Sequence, residues 1–237
     1  MAATATRLLG RYFYLGMALL LTAIVVYGFG STIEANLFHP SFPRPVVLYV
    51  HAAVFGGWMV LFIVQSALVA VARKSGWHRR LGGFGFVLGC AMPVLGVASA
   101  LRMTRLRAGF GDIDDVAFLI LALYDMVAFA TLFSLAIVWR KQPETHRRLM
   151  FIATCGICVA AVTRLPPGLP GAEGEWAWAY IDALIALGAV RDFVVQRRVH
   201  PVYRWALPIL MLVQASAIAV YVTRPAAWMH IASALIR

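Results

Sequence analysis

Two histidines share one setting in this chain. His78-Arg79-Arg80-Leu81 and His146-Arg147-Arg148-Leu149 repeat a tetrapeptide 68 residues apart. Each stands where a polar loop gives way to a long apolar stretch. Imidazoles at matching heights on two neighbouring hairpins can jointly ligate a transition metal or the iron of a b-type haem. The arginines that follow fall in the first turn of a helix, against its dipole. Free backbone N–H groups and guanidinium groups together form an anion site. Lipid phosphate, haem propionates and a phosphorylated substrate are its candidate occupants. His51, His78, His146, Arg79 and Arg147 are therefore the candidate cofactor-binding residues, with His78 and His146 the candidate metal ligands. His200 lies on the same side, in a later loop.

A second set lies within the apolar stretches themselves. Ionisable groups there are costly and point to function by default. They are His51, Asp125, Arg164 and Asp182, with Gln65 as a polar companion. At 1.5 Å rise per residue, His51 sits about 7 Å below one surface, Asp182 about 9 Å and Asp125 about 16 Å. His51, Trp58 and Gln65 recur every seven residues and share one helical stripe. Gly56 and Gly57 beside it are expected to permit close helix approach. His51 can bond a carbonyl and Gln65 bridge two helices, or both can serve a ligand or a proton relay. Arg164 can snorkel to the interface or pair with Asp182 or Asp125. Cys155 and Cys158 form a C-x-x-C, but in apolar surroundings the thiolate is suppressed and packing is the expected role. Glu34 and His39 are a weaker candidate metal pair in a loop. No Walker loop, G-x-S-x-G, H-E-x-x-H or dinucleotide fingerprint occurs, and no catalytic residue is identified.

The elements that must position these groups are membrane helices. The chain has 237 residues, 62% of them hydrophobic, with a mean hydropathy of +0.81. A soluble domain of this size is nearer half apolar. Seven apolar runs, near 12–30, 46–72, 82–103, 114–139, 149–165, 176–190 and 202–222, approach the 20 or so residues that span a bilayer. The predicted fold is an all-α transmembrane bundle of about seven spans in one domain. An open sheet would leave backbone groups unpaired in lipid. The first run is longer than a signal-peptide core, which predicts an uncleaved helix. Pro166, Pro167 and Pro170 are expected to stop span five, and Pro93 and Pro208 to kink theirs.

The net charge of +11 does not indicate nucleic acid, because of where the charges fall. With the 72–82 loop in the cytoplasm, fourteen Lys and Arg lie inside, including Arg73, Lys74, Arg147, Arg148 and Arg191. Seven lie outside. This positive-inside bias predicts a cytoplasmic N-terminus and an external C-terminus. It also predicts attraction of anionic lipid head groups to the cytoplasmic loops.

The order of motifs, His51, then His78 to Gly82, then His146 to Met150, then Arg164 closing a helix, resembles a family of multi-pass bacterial membrane proteins of unknown function. The likeness covers about residues 46–165. It implies a bacterial inner-membrane location and no established activity. A fainter likeness to b-type cytochrome helix bundles rests on histidines at helix ends. Three functions follow as expectations. One is a histidine-dependent haem- or metal-binding redox module. Another is a proton-coupled small-molecule carrier using the intramembrane His, Asp and Arg. The third is a non-catalytic subunit or sensor with a membrane-protein partner or a second copy.

Overall fold

The computed structural model describes residues 2–30, 32–40, 42–72, 75–165 and 176–237. The helices are α1 (Ala2–Gly30), α2 (Val46–Ala70), α3 (Ser75–Ala108), α4 (Ile113–Val138), α5 (Pro143–Ile157), α6 (Val159–Val162), α7 (Trp176–Gln196), α8 (Pro201–Thr223) and α9 (Ala226–Leu235). One π-turn, Glu34–Phe38, lies between α1 and α2. No strand occurs among the described residues. Arg73, Lys74, Pro166, Pro167 and Pro170 lie outside them.

Six helical segments are long and apolar enough to cross a membrane: Thr4–Gly30, Val46–Ala70, Gly76–Ala108, Ile113–Val138, Pro143–Val162 and Pro201–Thr223. The chain is thus a multi-pass membrane helix bundle. The seventh expected span, α7, has 21 residues, or about 31 Å. It is long enough to cross but carries Asp182, Arg191 and Asp192, so it lacks the apolarity of the rest. The sequence reading ended this span at residue 190, where the apolar run stops. The helix instead continues to Gln196, because its last charges find partners inside the bundle. Similarly, α3 starts at Ser75 and α5 at Pro143, so both His-Arg-Arg-Leu motifs lie inside their helices. Pro143 suits the first helical position, where its missing N–H costs nothing.

Lipid tails provide no hydrophobic drive for helices to associate, so close packing and polar contacts must do so. The glycines show where. A Cβ at Gly89 would fall 2.3 Å from the Phe133 ring, and one at Gly96 2.0 Å from Met126 Sδ. These two glycines, seven apart on α3, receive α4. A Cβ at Gly28 would lie 2.2 Å from the Ala161 carbonyl oxygen, fixing α1 against α6. Gly188 admits the Tyr203 hydroxyl, which would lie 2.2 Å from an added Cβ. The expectation for Gly56 and Gly57 is corrected: Gly56 faces open space, and Gly57 makes only ordinary contact with Leu88. Trp58, on the same stripe, is the residue that packs. Its ring meets Phe129 edge-on at 5.4 Å, and its Nε1–H donates to Thr154 Oγ1 at 3.3 Å.

The end of α9 was not foreseen from sequence. Its ten residues follow a reversal at Arg224, which adopts a left-handed conformation (φ 46°). The helix packs Ala232 beside Val116 and Leu119 of α4, and Trp228 Nε1–H donates to the Ala117 carbonyl at 3.2 Å.

Candidate functional site

Inside the bundle, α4, α5, α7 and α8 line a cavity of about 20 Å³, which is room for about one water. Its polar groups are Asp125, Asp182, Gln214, Trp178 and Tyr124. Asp125 is the thirteenth of 26 residues in α4, so it lies at the middle of the span. Its Oδ1 accepts from Trp178 Nε1–H at 3.3 Å. Asp182 Oδ2 accepts from the buried Gln214 amide at 3.1 Å. The Tyr124 hydroxyl donates to the Leu210 carbonyl at 3.3 Å. A carboxylate offers about four acceptor sites, and each of these two has one neutral donor from its cavity neighbours. Neither forms an ion pair among the described residues.

The fourth wall is where a spanning helix is interrupted. α5 ends at Ile157 and α6 begins at Val159. At Cys158 the backbone N–H turns to the Cys155 carbonyl at 3.0 Å. The Cys158 thiol donates to the Thr154 carbonyl at 3.2 Å. Gly156, two residues before it, lines the cavity. Cys155 and Cys158 are both free and buried. Membrane helices tolerate such irregular backbone where it is buried in protein or lines a cavity.

The basic end of the bundle holds a different constellation. Arg148 and Asp192 are both 0% exposed and Arg191 is 3%. Arg148 grips Asp192 with two donors, Nε to Oδ2 at 2.8 Å and Nη2 to Oδ1 at 2.7 Å. Its remaining nitrogen, Nη1, reaches Glu144 Oε2 at 2.8 Å and the Glu144 carbonyl at 2.6 Å. Arg191 adds Nη1 to Asp192 Oδ1 at 2.9 Å and Nη2 to the Gly10 carbonyl at 2.7 Å. The cluster ties α1, α5 and α7 together. Tyr14 lies under two of these cations, Arg147 at 5.1 Å and Arg191 at 5.6 Å from its ring centre. From sequence, Arg191 counts among the cytoplasmic charges and Arg148 belongs to a candidate anion site; both are buried in protein instead. Glu144 and Arg148 are four apart on one helix, which was legible. Asp192 was not, since it follows the end of the apolar run.

The remaining candidates divide. His78 and His146 do come together, with ring centres 6.5 Å apart and planes inclined by 78°. Gln65 bridges two helices as anticipated, donating to the His78 carbonyl at 3.3 Å. His51 lies fourteen residues earlier on α2, about 21 Å away along the axis. There it stacks on Phe55 at 4.0 Å, beside the Leu95 backbone. Arg164 donates to the Ala160 carbonyl and covers the Phe29 ring at 4.8 Å, so it does not reach Asp125 or Asp182. Arg79 is exposed. Arg147 pairs with Glu144 at 2.5 Å. Glu34 and His39 pair with each other at 2.5 Å on the surface.

Together these features define a polytopic membrane protein with a carboxylate-lined cavity inside its helix bundle. Comparison with known proteins finds no matching family, no matching curated protein and no matching solved structure.

Proposed function

We propose that this protein is a bacterial inner-membrane carrier of a small cation, in the first instance a proton, and that Asp125 and Asp182 bind it. One observation carries the reading: two carboxylates on different helices share a partly open cavity with no basic side chain in its lining. A charged group in hydrocarbon is costly unless neutralised. A proton or a small cation supplies that neutralisation, and the cavity has room for one water to accompany it. The interruption at Cys158 adds support, since carriers typically build their coupling sites beside broken helices. Asp125, at mid-span, is the primary site. Asp182, nearer one surface and bonded to Gln214, is the next station.

The test is proton flux in sealed liposomes containing the purified chain and a pH-sensitive dye, with a potential imposed across the membrane. Flux above protein-free liposomes is expected, with Asp125→Asn abolishing it and Asp182→Asn slowing it. Wild-type liposomes no leakier than empty ones, or flux unchanged by Asp125→Asn, would sink the reading.

A further inference from the structure

The histidine pair at the basic end is independent of that cavity and remains unexplained by it. We propose that His78 and His146 together bind a divalent late transition-metal ion of the copper or zinc class. Metal–nitrogen bonds of about 2.0–2.1 Å place each ring centre roughly 3.2 Å from a shared ion. Two rings then lie about 6.4 Å apart if opposed across the ion and about 5.2 Å if tetrahedral. The observed 6.5 Å matches the opposed arrangement, and the tetrahedral one requires the rings to close by about 1.3 Å.

The surroundings have the character of a ligand shell. His146 Nδ1 lies 2.9 Å from the Ala136 carbonyl. A carbonyl only accepts, so Nδ1 carries the proton and Nε2 keeps its lone pair. Metal-ligating histidines are oriented in this way, by a hydrogen bond from the other nitrogen. His78 Nδ1 is buried with no hydrogen-bond partner, and so is Oε1 of Gln65, whose amide bonds the His78 carbonyl. Buried polar atoms without partners are rare in proteins and call for an explanation. Purely structural histidines would be expected to satisfy both nitrogens. No group of three or more His, Cys, Asp or Glu side chains gathers around a common point among the described residues. The pair would therefore form an open site whose other positions are left to solvent. Both rings come from the first turns of their helices, α3 and α5, and the Ala136 bond ties the α5 ring to α4.

The probe is Cu²⁺ alone, added to untagged full-length protein in mild detergent and followed by electron paramagnetic resonance. One copper per chain with two coupled imidazole nitrogens is expected. His78→Ala should weaken binding by more than the 10- to 100-fold typical of losing a second-shell partner. His39→Ala should leave it unchanged, separating the pair from the exposed His39–Glu34 site. Asp125→Asn should also leave it unchanged, so the carrier reading and this one fail separately. His78 bonds its neighbours through its backbone carbonyl, so its side chain can be removed without breaking that contact. If His78→Ala still does not yield folded protein, His78→Gln carries the same expectation. Absence of stoichiometric copper, fewer than two imidazole nitrogens, or binding indifferent to His78 would overturn the proposal.

Discussion

Asp182 and Asp192 lie ten residues apart on the same helix, and the protein treats them in opposite ways. Asp192 is bound by two arginines and by the backbone N–H of His200 at 3.4 Å. Asp182 receives one amide hydrogen bond and faces a cavity. At Asp192 the charge is neutralised within the fold, so it is a fixed part of the structure. At Asp182 and at Asp125 no guanidinium comes within ion-pair distance among the described residues. The same side chain, in one membrane helix, is a rivet at one height and without a counter-charge at another. What differs is whether a guanidinium shares its enclosure.

The largest test of this contrast breaks the rivet. Asp192→Asn leaves Arg191 buried without its carboxylate and Arg148 with Glu144 alone. Removing one partner of a buried pair costs about 3–5 kcal/mol. Thermal unfolding in detergent should show that loss, together with detachment of α1, whose Gly10 carbonyl is held by Arg191. Replacing the whole buried group, as Arg148→Met and Arg191→Met with Asp192→Leu, should recover much of the stability, because apolar replacement of a complete buried ion cluster is often neutral. A triple variant as unstable as the single one would show that the cluster acts otherwise than by mutual charge neutralisation.

A packing test comes next in size. A Cβ at Gly28 would meet backbone, 2.2 Å from the Ala161 carbonyl oxygen, and backbone cannot swing aside. Gly28→Leu should cost about 1–3 kcal/mol by overpacking and loosen α6, the half-helix beyond the Cys158 interruption. If the variant melts with the wild type, the close approach of α1 and α6 is not a constraint on the bundle. Gly57→Ala is the control. Its Cβ would meet only Leu88, at 3.9 Å, and no measurable change is expected.

Much of this arrangement was legible in the chain. Six of the seven expected spans and their rough bounds follow from length and apolarity, because a bilayer leaves few alternatives. Asp125, Asp182 and the His78–His146 pairing followed from depth and from the repeated motif. The polar cluster at the basic end did not. Span limits were set where hydrophobicity stopped, and a charged residue just past that limit reads as solvated. Arg191 and Asp192 stay inside because Arg148, 43 residues earlier than Arg191 in sequence, reaches them, and no local pattern encodes a contact across helices. The glycines failed for the same reason. Gly56-Gly57 stands out as a doublet, yet which glycine meets a neighbour depends on helix rotation, which hydrophobicity on all faces leaves undetermined. The interruption at Cys158 is silent in sequence too, for no proline marks it.

A third prediction sharpens the contrast from the other side. Asp125→Asn keeps the shape and the acceptor for Trp178 while removing an ionisable group that no guanidinium balances. Stability should hold within about 0.5 kcal/mol or rise, where the matching change at Asp192 destabilises strongly. The two melting curves, taken side by side, separate a carboxylate that the fold needs from one that it merely contains. Equal losses at both positions would mean that Asp125 has a counter-charge in the folded protein and is structural after all.

The smallest effect lies at the edge of the rivet. His200 caps α8, its Nδ1 accepting the Val202 N–H at 3.2 Å. Burial and then the Arg148 charge lower its pKa below the ordinary value of about 6.5, with Arg147 acting the same way and Asp192 and Glu144 opposing. In the unfolded chain His200 binds its proton more readily than in the folded one. Its contribution to stability is therefore complete above about pH 6.5, falls as the pH drops from there through the lowered folded value, and is level below it. Protonation also takes the cap, since a protonated Nδ1 cannot accept from Val202. His200→Asn retains a capping oxygen without titrating in this window. Its melting temperature should therefore fall less between pH 7.5 and pH 5 than that of the wild type, by roughly the 1 kcal/mol of a single cap. Parallel pH profiles for the two proteins would mean that the Asp192 cluster holds the start of α8 without any help from the imidazole.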